Sequence, residues 1–126
     1  MPATAPFPAI LLVDDEPIVL AILHRLVRDL MLDYDILVAS DTTTALEQID
    51  QRMVPLVITD YQMAGINGLT FATHLKRHAS TTQVVLMTGY DTPELREKAY
   101  ACGVDYYLSK PFSIQALKQI VHTALA

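Results

Sequence analysis

Five short apolar runs punctuate the chain: Ala9–Val13 (AILLV), Ile36–Ala39 (ILVA), Leu56–Thr59 (LVIT), Val84–Met87 (VVLM) and Val104–Leu108 (VDYYL). They are rich in β-branched residues, and four of the five are nearly unbroken in hydrophobicity. Strands buried on both faces carry that pattern, whereas a half-solvated strand alternates. Longer segments of helical period separate them. The first, Pro17–Leu32, opens on a proline suited to a first helical turn. Asp41 or Thr42 caps the second, which runs through Arg52, and Asn67 caps the third, which runs to about His78. Thr92–Pro93 begins the fourth, with Gly103 where a helix C-terminus favours a left-handed residue, and Ser113 caps the fifth. Five strands alternating with five helices predict an α/β fold, a parallel sheet covered on both faces.

The helices differ in what they have to bury. In the fifth, Ile114, Ala116, Leu117, Ile120, Val121, Ala124 and Leu125 share one face, with polar residues opposite. In the first, Ile18, Val19, Ile22, Leu23, Leu26 and Leu30 form the expected buried arc. Leu20, Val27 and Met31 widen it, leaving Arg25, Arg28 and Asp29 as a narrow polar strip. Such a width fits either packing on both the sheet and helix 5, or a face that docks a partner helix. The fourth helix has a stripe of only Leu95, Ala99 and Cys102, which suits an element able to move.

Composition narrows the setting. The chain has 126 residues and 14.0 kDa, the size of one domain, and 52% of it is hydrophobic, which excludes an intrinsically disordered chain. Three of seven prolines fall in residues 2–8, so residues 1–8 read as a flexible lead-in and 9–126 as the domain. A net charge of −5 argues against a surface that holds nucleic acid. Cys102 is the only cysteine and fits a reducing setting. No apolar run reaches the ~18–20 residues that span a bilayer, and MPATAPFP does not resemble a signal peptide, so the expected location is cytoplasmic.

The chemistry gathers at the strand ends. Strand 1 ends in Asp14-Asp15-Glu16, strand 3 in Asp60, strand 4 in Thr88-Gly89 and strand 5 in Ser109-Lys110-Pro111. In a parallel sheet these ends share one rim, where ligands bind at the point at which strand order reverses. Crowded carboxylates repel, which raises their pKa values or demands a cation, and hard oxygen donors favour Mg²⁺. Lys110 supplies a point charge for a further anionic oxygen. Together they suit phosphoryl transfer to a carboxylate.

LLVDDEP, VITDYQMAGINGL, Thr88-Gly89 and YYLSKPF, in that order and spacing, resemble the receiver domain of two-component response regulators over roughly residues 9–125. The resemblance implies a doubly wound, flavodoxin-like sheet of order 2-1-3-4-5 with five helices. It implies that Asp60 accepts a phosphoryl group from a histidine kinase, a histidine phosphotransfer protein or a small phosphodonor. Asp15 and Asp60 would ligate Mg²⁺ with the backbone carbonyl of Gln62, and Asp14 would act mainly through water. Thr88 and Lys110 would bind phosphoryl oxygens, and Tyr107 would be the switching aromatic. A downstream protein would read helix 4, strand 5 and helix 5. The Lys110–Pro111 bond would be cis, and the chain would be a signalling phosphoacceptor rather than a turnover enzyme.

Some positions depart from the family pattern. Met63-Ala64-Gly65 stands where Met-Pro-Gly is usual, and Asn67 replaces an aspartate. Tyr106 occupies a position where one DNA-binding subfamily has an acid used in dimer salt bridges. Gln62 and Tyr90 flank the site at positions that tune phosphoryl lifetime in the family. Two other readings compete: a Mg²⁺-dependent phosphatase of Rossmann-like fold, and a scaffold that is not phosphorylated. The former needs an Asp-x-Asp pair, and this chain reads Asp60-Tyr61-Gln62. His74 and His78, four apart, suggest a metal pair, but Lys76 and Arg77 between them favour a solvated basic face.

Overall fold

Each apolar run becomes a strand and each periodic segment a helix. The computed structural model of the chain describes residues 7–63 and 65–126. In chain order the elements are β1 (Ala9–Val13), α1 (Pro17–Arg28), β2 (Asp35–Ala39), α2 (Thr42–Gln51), β3 (Leu56–Asp60), α3 (Gly68–His78), β4 (Gln83–Thr88), α4 (Pro93–Ala101), β5 (Tyr106–Ser109) and α5 (Ile114–Leu125). The strands form one parallel sheet of order β2-β1-β3-β4-β5. Asp41, Asn67, Thr92 and Ser113 each cap a helix, accepting from the backbone N–H three residues on.

Alternation along the strands divides the core in two. Ile10, Leu12, Leu56, Ile58, Val85, Met87 and Leu108 pack against Leu20, Leu23 and Val27 of α1 and Leu117 and Val121 of α5. Leu11, Val13, Val57, Val84, Leu86 and Tyr107 face the other way, against α2, α3 and α4 through Ala45, Ile49, Phe71, Leu75, Leu95 and Ala99. Both faces of the central strands are therefore dry, which is why their sequences do not alternate.

Helix α1 differs from expectation in length and in face. It stops at Arg28, because Met31 adopts a left-handed φ of 54° and cannot continue it. Its apolar arc is wider than one packing face. The sheet takes the Leu20–Leu23–Val27 row, leaving Ile18 74% and Ile22 56% exposed, and Met31 beyond the helix 89% exposed. Leu20 is therefore core, and the expected burial of Ile18 and Ile22 does not occur.

Other boundaries move for local reasons. Arg52 leaves α2 in extended backbone and sends its guanidinium to the Phe7 carbonyl (2.7 Å) and to Asp35 (2.6 Å). The Pro8 carbonyl accepts from the Asp35 N–H. Of the lead-in expected over residues 1–8, residues 1–6 lie outside the described residues. Strand β5 begins at Tyr106 rather than Val104, because Gly103 turns with φ 100° and the Val104 N–H bonds back to Ala99 to close α4. Lys76 of α3 fills the space above Gly103, its Cγ 2.8 Å from where a Cβ would stand. Its ammonium reaches Asp105 at 2.6 Å and the Thr82 carbonyl at 2.7 Å. Among the described residues no helix is long and apolar enough to cross a membrane.

Candidate functional site

Strand β3 is central, with β1 and β4 on either side, so its last residue, Asp60, sits at the point where chain order reverses. The ladder carries each neighbour a step past its strand. The Asp14 N–H donates to Ala39, the Tyr61 N–H to Met87, and the Lys110 N–H to Thr88 at 2.7 Å. These bonds fix the backbone positions of Asp14, Asp60, Thr88 and Lys110 relative to one another.

The side chains then converge. The Lys110 ammonium lies 2.8 Å from Asp60 Oδ1 and 4.0 Å from Asp14 Oδ2. Asp14 is fully buried. Its Oδ1 accepts from the Glu16 N–H at 2.9 Å, while Oδ2 is shielded and makes no hydrogen bond. Burial holds the Asp14 carboxyl above its ordinary value, the Glu16 N–H opposes this, and the Asp60 charge adds to it. Thr88 is buried at the end of β4, where its Oγ1 accepts from the Tyr90 N–H at 2.8 Å. The Lys110–Pro111 peptide bond is cis. Asp15 and Gln62 follow the strand ends on the exposed rim, and Glu16 stands at the N-cap of α1.

That oxygen, with no hydrogen bond and only a distant ammonium at 4.0 Å, has room in its surroundings for a divalent ion. Among the described residues, no three His, Cys, Asp or Glu side chains close into a ready-made metal cage. Mg²⁺ does not ask for one, since it takes one or two carboxylates, keeps several waters and completes its shell with phosphate oxygens. A buried carboxylate with one orphaned oxygen beside a second carboxylate fits that ion.

Sequence reasoning overlooked Gly68. The first residue of α3 donates its N–H to the Tyr61 carbonyl at 2.7 Å, and a Cβ there would stand 2.6 Å from the Asp60 carbonyl oxygen. Only glycine lets the helix begin against the backbone of Asp60. Asn67 was legible as a helix cap, but a close approach between two backbones at Gly68 leaves no mark in hydrophobic pattern.

Tyr107 is 8% exposed and pairs with Leu86 in the ladder. Arg96 of α4 lies over its ring at 4.6 Å, and the Tyr100 ring stands 6.5 Å away. Ala64, in the departure from the family pattern, lies outside the described residues. His74, Arg77 and His78 line an open cleft of about 400 Å³ with Leu46 and Asp50, and His78 is ion-paired to Asp50. This cleft lies at the C-terminal end of α3, away from the acidic rim.

A sheet of this order, with acids gathered at its reversal point and a lysine on a cis proline, has the architecture of the receiver class. The chain belongs to the response regulator receiver domain family, whose model matches residues 10–122. It is 32% identical over 117 residues to the transcriptional regulatory protein ZraR of Escherichia coli O157:H7, covering 93% of this chain and 26% of that protein. It is 32% identical over 120 residues to the response regulator Rre1 of Synechocystis, covering 94% of this chain and 52% of that one. The chain thus spans a quarter to a half of these curated relatives. The signal receiver domain of an HD domain-containing protein from Pseudomonas fluorescens Pf-5 superposes with a TM-score of 0.86 at 32% identity. That match covers 99% of this chain and 91% of that one.

Proposed function

We propose that Asp60 is a phosphoacceptor, and that residues 9–126 act as a switch whose state is set by its phosphorylation. One observation carries the reading: Lys110 is drawn 2.8 Å from Asp60 beside a buried Asp14 whose second oxygen makes no hydrogen bond and stands 4.0 Å from the same ammonium. In the transfer, an oxygen of Asp60 forms a bond to phosphorus while the bond to the donor breaks, and the donor's imidazole or acyl oxygen leaves with that electron pair. Mg²⁺, held by Asp15, Asp60 and the Gln62 carbonyl with Asp14 acting through water, would neutralise charge on the phosphoryl oxygens. Lys110 exchanges its contact with Asp60 for a phosphoryl oxygen. The Thr88 hydroxyl donates to another.

The donor is read as a histidine kinase or a histidine phosphotransfer protein. Its supporting surface is Ile18 and Ile22, exposed on α1 beside a small apolar cleft that Ile22 shares with Leu26, Met87, Lys110 and Phe112. This moves the docking face expected from sequence off Leu20 and Met31. The output is read through α4, β5 and α5, where Tyr107 is roofed by α4, and the setting is read as the cytoplasm.

Incubation with Mg²⁺ and a small acyl phosphate, followed by intact-mass measurement, tests the reading. One labile phosphoryl adduct, absent in Asp60→Asn, is expected. Fast turnover of phosphomonoesters would instead point to a phosphatase, and no adduct with no metal binding to a scaffold.

A further inference from the structure

Arg96 crosses from α4 to cover the ring of Tyr107, its guanidinium carbon 4.6 Å from the ring centroid. The same guanidinium is held by Asp91 of the β4–α4 loop, with Nη2 at 3.2 and 3.4 Å from the two carboxylate oxygens. Tyr100, one turn further along α4, adds its ring at 6.5 Å and a tilt of 40°. The roof is made of exposed side chains, while the ring beneath is buried.

Nothing polar inside the core fixes that ring. The Tyr107 hydroxyl is shielded from solvent and completes no hydrogen bond, although the Asp91 carboxylate approaches it. A buried phenol in this condition disfavours its own burial. The ring is held by its apolar packing in the core and, on its outer side, by the guanidinium over its face, an attractive arrangement. Helix α4 itself buries only Leu95 and Ala99, so this contact adds to a small apolar seam between it and β5.

The roof is also connected to the acceptor rim. Thr88 Oγ1 accepts from the Tyr90 N–H at 2.8 Å, and Asp91 is the next residue. We propose that Asp91 and Arg96 form a latch that holds Tyr107 buried and transmits the position of Thr88 to it. A hydroxyl has one proton and two lone pairs, so Thr88 donates to a phosphoryl oxygen while still accepting from Tyr90. Drawing Thr88 toward Asp60 then carries the loop with it, displaces Asp91 and shifts Arg96 over the ring. Arg96 and Asp91 are positioning residues here. The transmission rests on the phosphoacceptor reading, whereas the hold on Tyr107 does not.

The chain has six tyrosines, so fluorotyrosine labelling gives a small set of ¹⁹F signals, with Tyr107→Phe and Tyr61→Phe assigning two of them. At neutral pH the solvent-isotope shift of the Tyr107 signal should be that of a buried ring. In Arg96→Gln it should rise most of the way to that of the free amino acid, and Arg96→Lys, which keeps charge but not the flat face, should not restore it. The alkaline titration of unlabelled protein separates the alternatives by sign. A nearby cation lowers a phenol's pKa, so losing Arg96 with the ring still buried raises the midpoint above about 12, while release into water lowers it toward 10.0. A ring that stays buried in Arg96→Gln overturns the latch.

Adding Mg²⁺ and beryllofluoride then tests transmission. In the wild type both Tyr61, beside the acceptor, and Tyr107 should shift. In Asp91→Asn the Tyr61 signal should still move, and the Tyr107 signal should not. An undiminished Tyr107 response in Asp91→Asn overturns the coupling. A wild type in which Tyr61 stays silent counts against the phosphoacceptor reading and the coupling together, leaving the resting-state arm to decide the hold.

Discussion

The Lys110 ammonium and Oδ1 of Asp60 stand 2.8 Å apart, joined across fifty residues of sequence. Lys110 thereby does part of the neutralising that a metal ion would do. Lys110→Met should tighten Mg²⁺ binding several-fold, because two neighbouring carboxylates are left with no cation. It should also slow phosphorylation from a small donor by about 10²-fold, the usual cost of losing one charge-stabilising donor. Calorimetric Mg²⁺ titration and intact-mass time courses measure the two effects.

Asp14 should behave as a stability cost. Its folded-state pKa is raised, chiefly by burial, so its favourable contribution belongs to the protonated form and is lost as pH rises through the carboxylate range. At neutral pH, Asp14→Asn should stabilise the metal-free chain by on the order of 1 kcal/mol, about 4 °C in melting temperature. The variant should lose most of the stabilisation that Mg²⁺ gives the wild type. Thermal melts with and without Mg²⁺ read both.

Gly68→Ala places a methyl 2.6 Å from the Asp60 carbonyl and 2.6 Å from Leu86 Cδ1. Helix propensity favours alanine, but the clash involves backbone and should win, costing about 1–3 kcal/mol. Denaturant midpoints would show the loss. Phosphorylation should slow as well, since the shift falls on the proposed acceptor, Asp60.

Alkaline pH should loosen the fold through Tyr107. Burial first, then the Asp91 carboxylate, pushes its hydroxyl up to about 12 from 10.0. A pKa raised in the folded state means the contribution is intact below pH 10 and is lost as pH climbs toward 12. Stability of the wild type should therefore fall more steeply over that window than stability of Tyr107→Phe.

The two apolar rows of α1 should respond differently. Ile22→Ser, at an exposed position, should change stability by under about 0.5 kcal/mol and leave small-donor phosphorylation intact while slowing transfer from a protein donor. Leu20→Ser, in the core, should cost about 2–5 kcal/mol. Stopped-flow transfer and chemical denaturation distinguish them.

These differences also show where sequence is legible. Unbroken runs such as LLV and LVIT announced doubly buried strands, and Asp41, Asn67, Thr92 and Ser113 announced helix starts, because both signals are local. The rim followed from parallel topology alone. The face of α1 did not, because an arc wider than one contact surface leaves the choice to the sheet. The end of α1 hung on Met31 in a left-handed conformation, which side-chain pattern does not encode. The roof over Tyr107 joins Asp91, Arg96 and Tyr100 across two elements, and no spacing rule points to such a group.

The hydrogen-bonded ladder, not the helices, places Asp14, Asp60, Thr88 and Lys110, and the helix surfaces face outward from it. Chemistry and address are therefore separate variables in this molecule. On the proposed reading, substitutions on the outer faces of α1, α4 and α5 would alter which molecule delivers or reads the signal while leaving the site at the strand ends unchanged. On that reading, a lineage built on this sheet would be able to duplicate and change its correspondents without rebuilding the rim that carries Asp14, Asp60, Thr88 and Lys110.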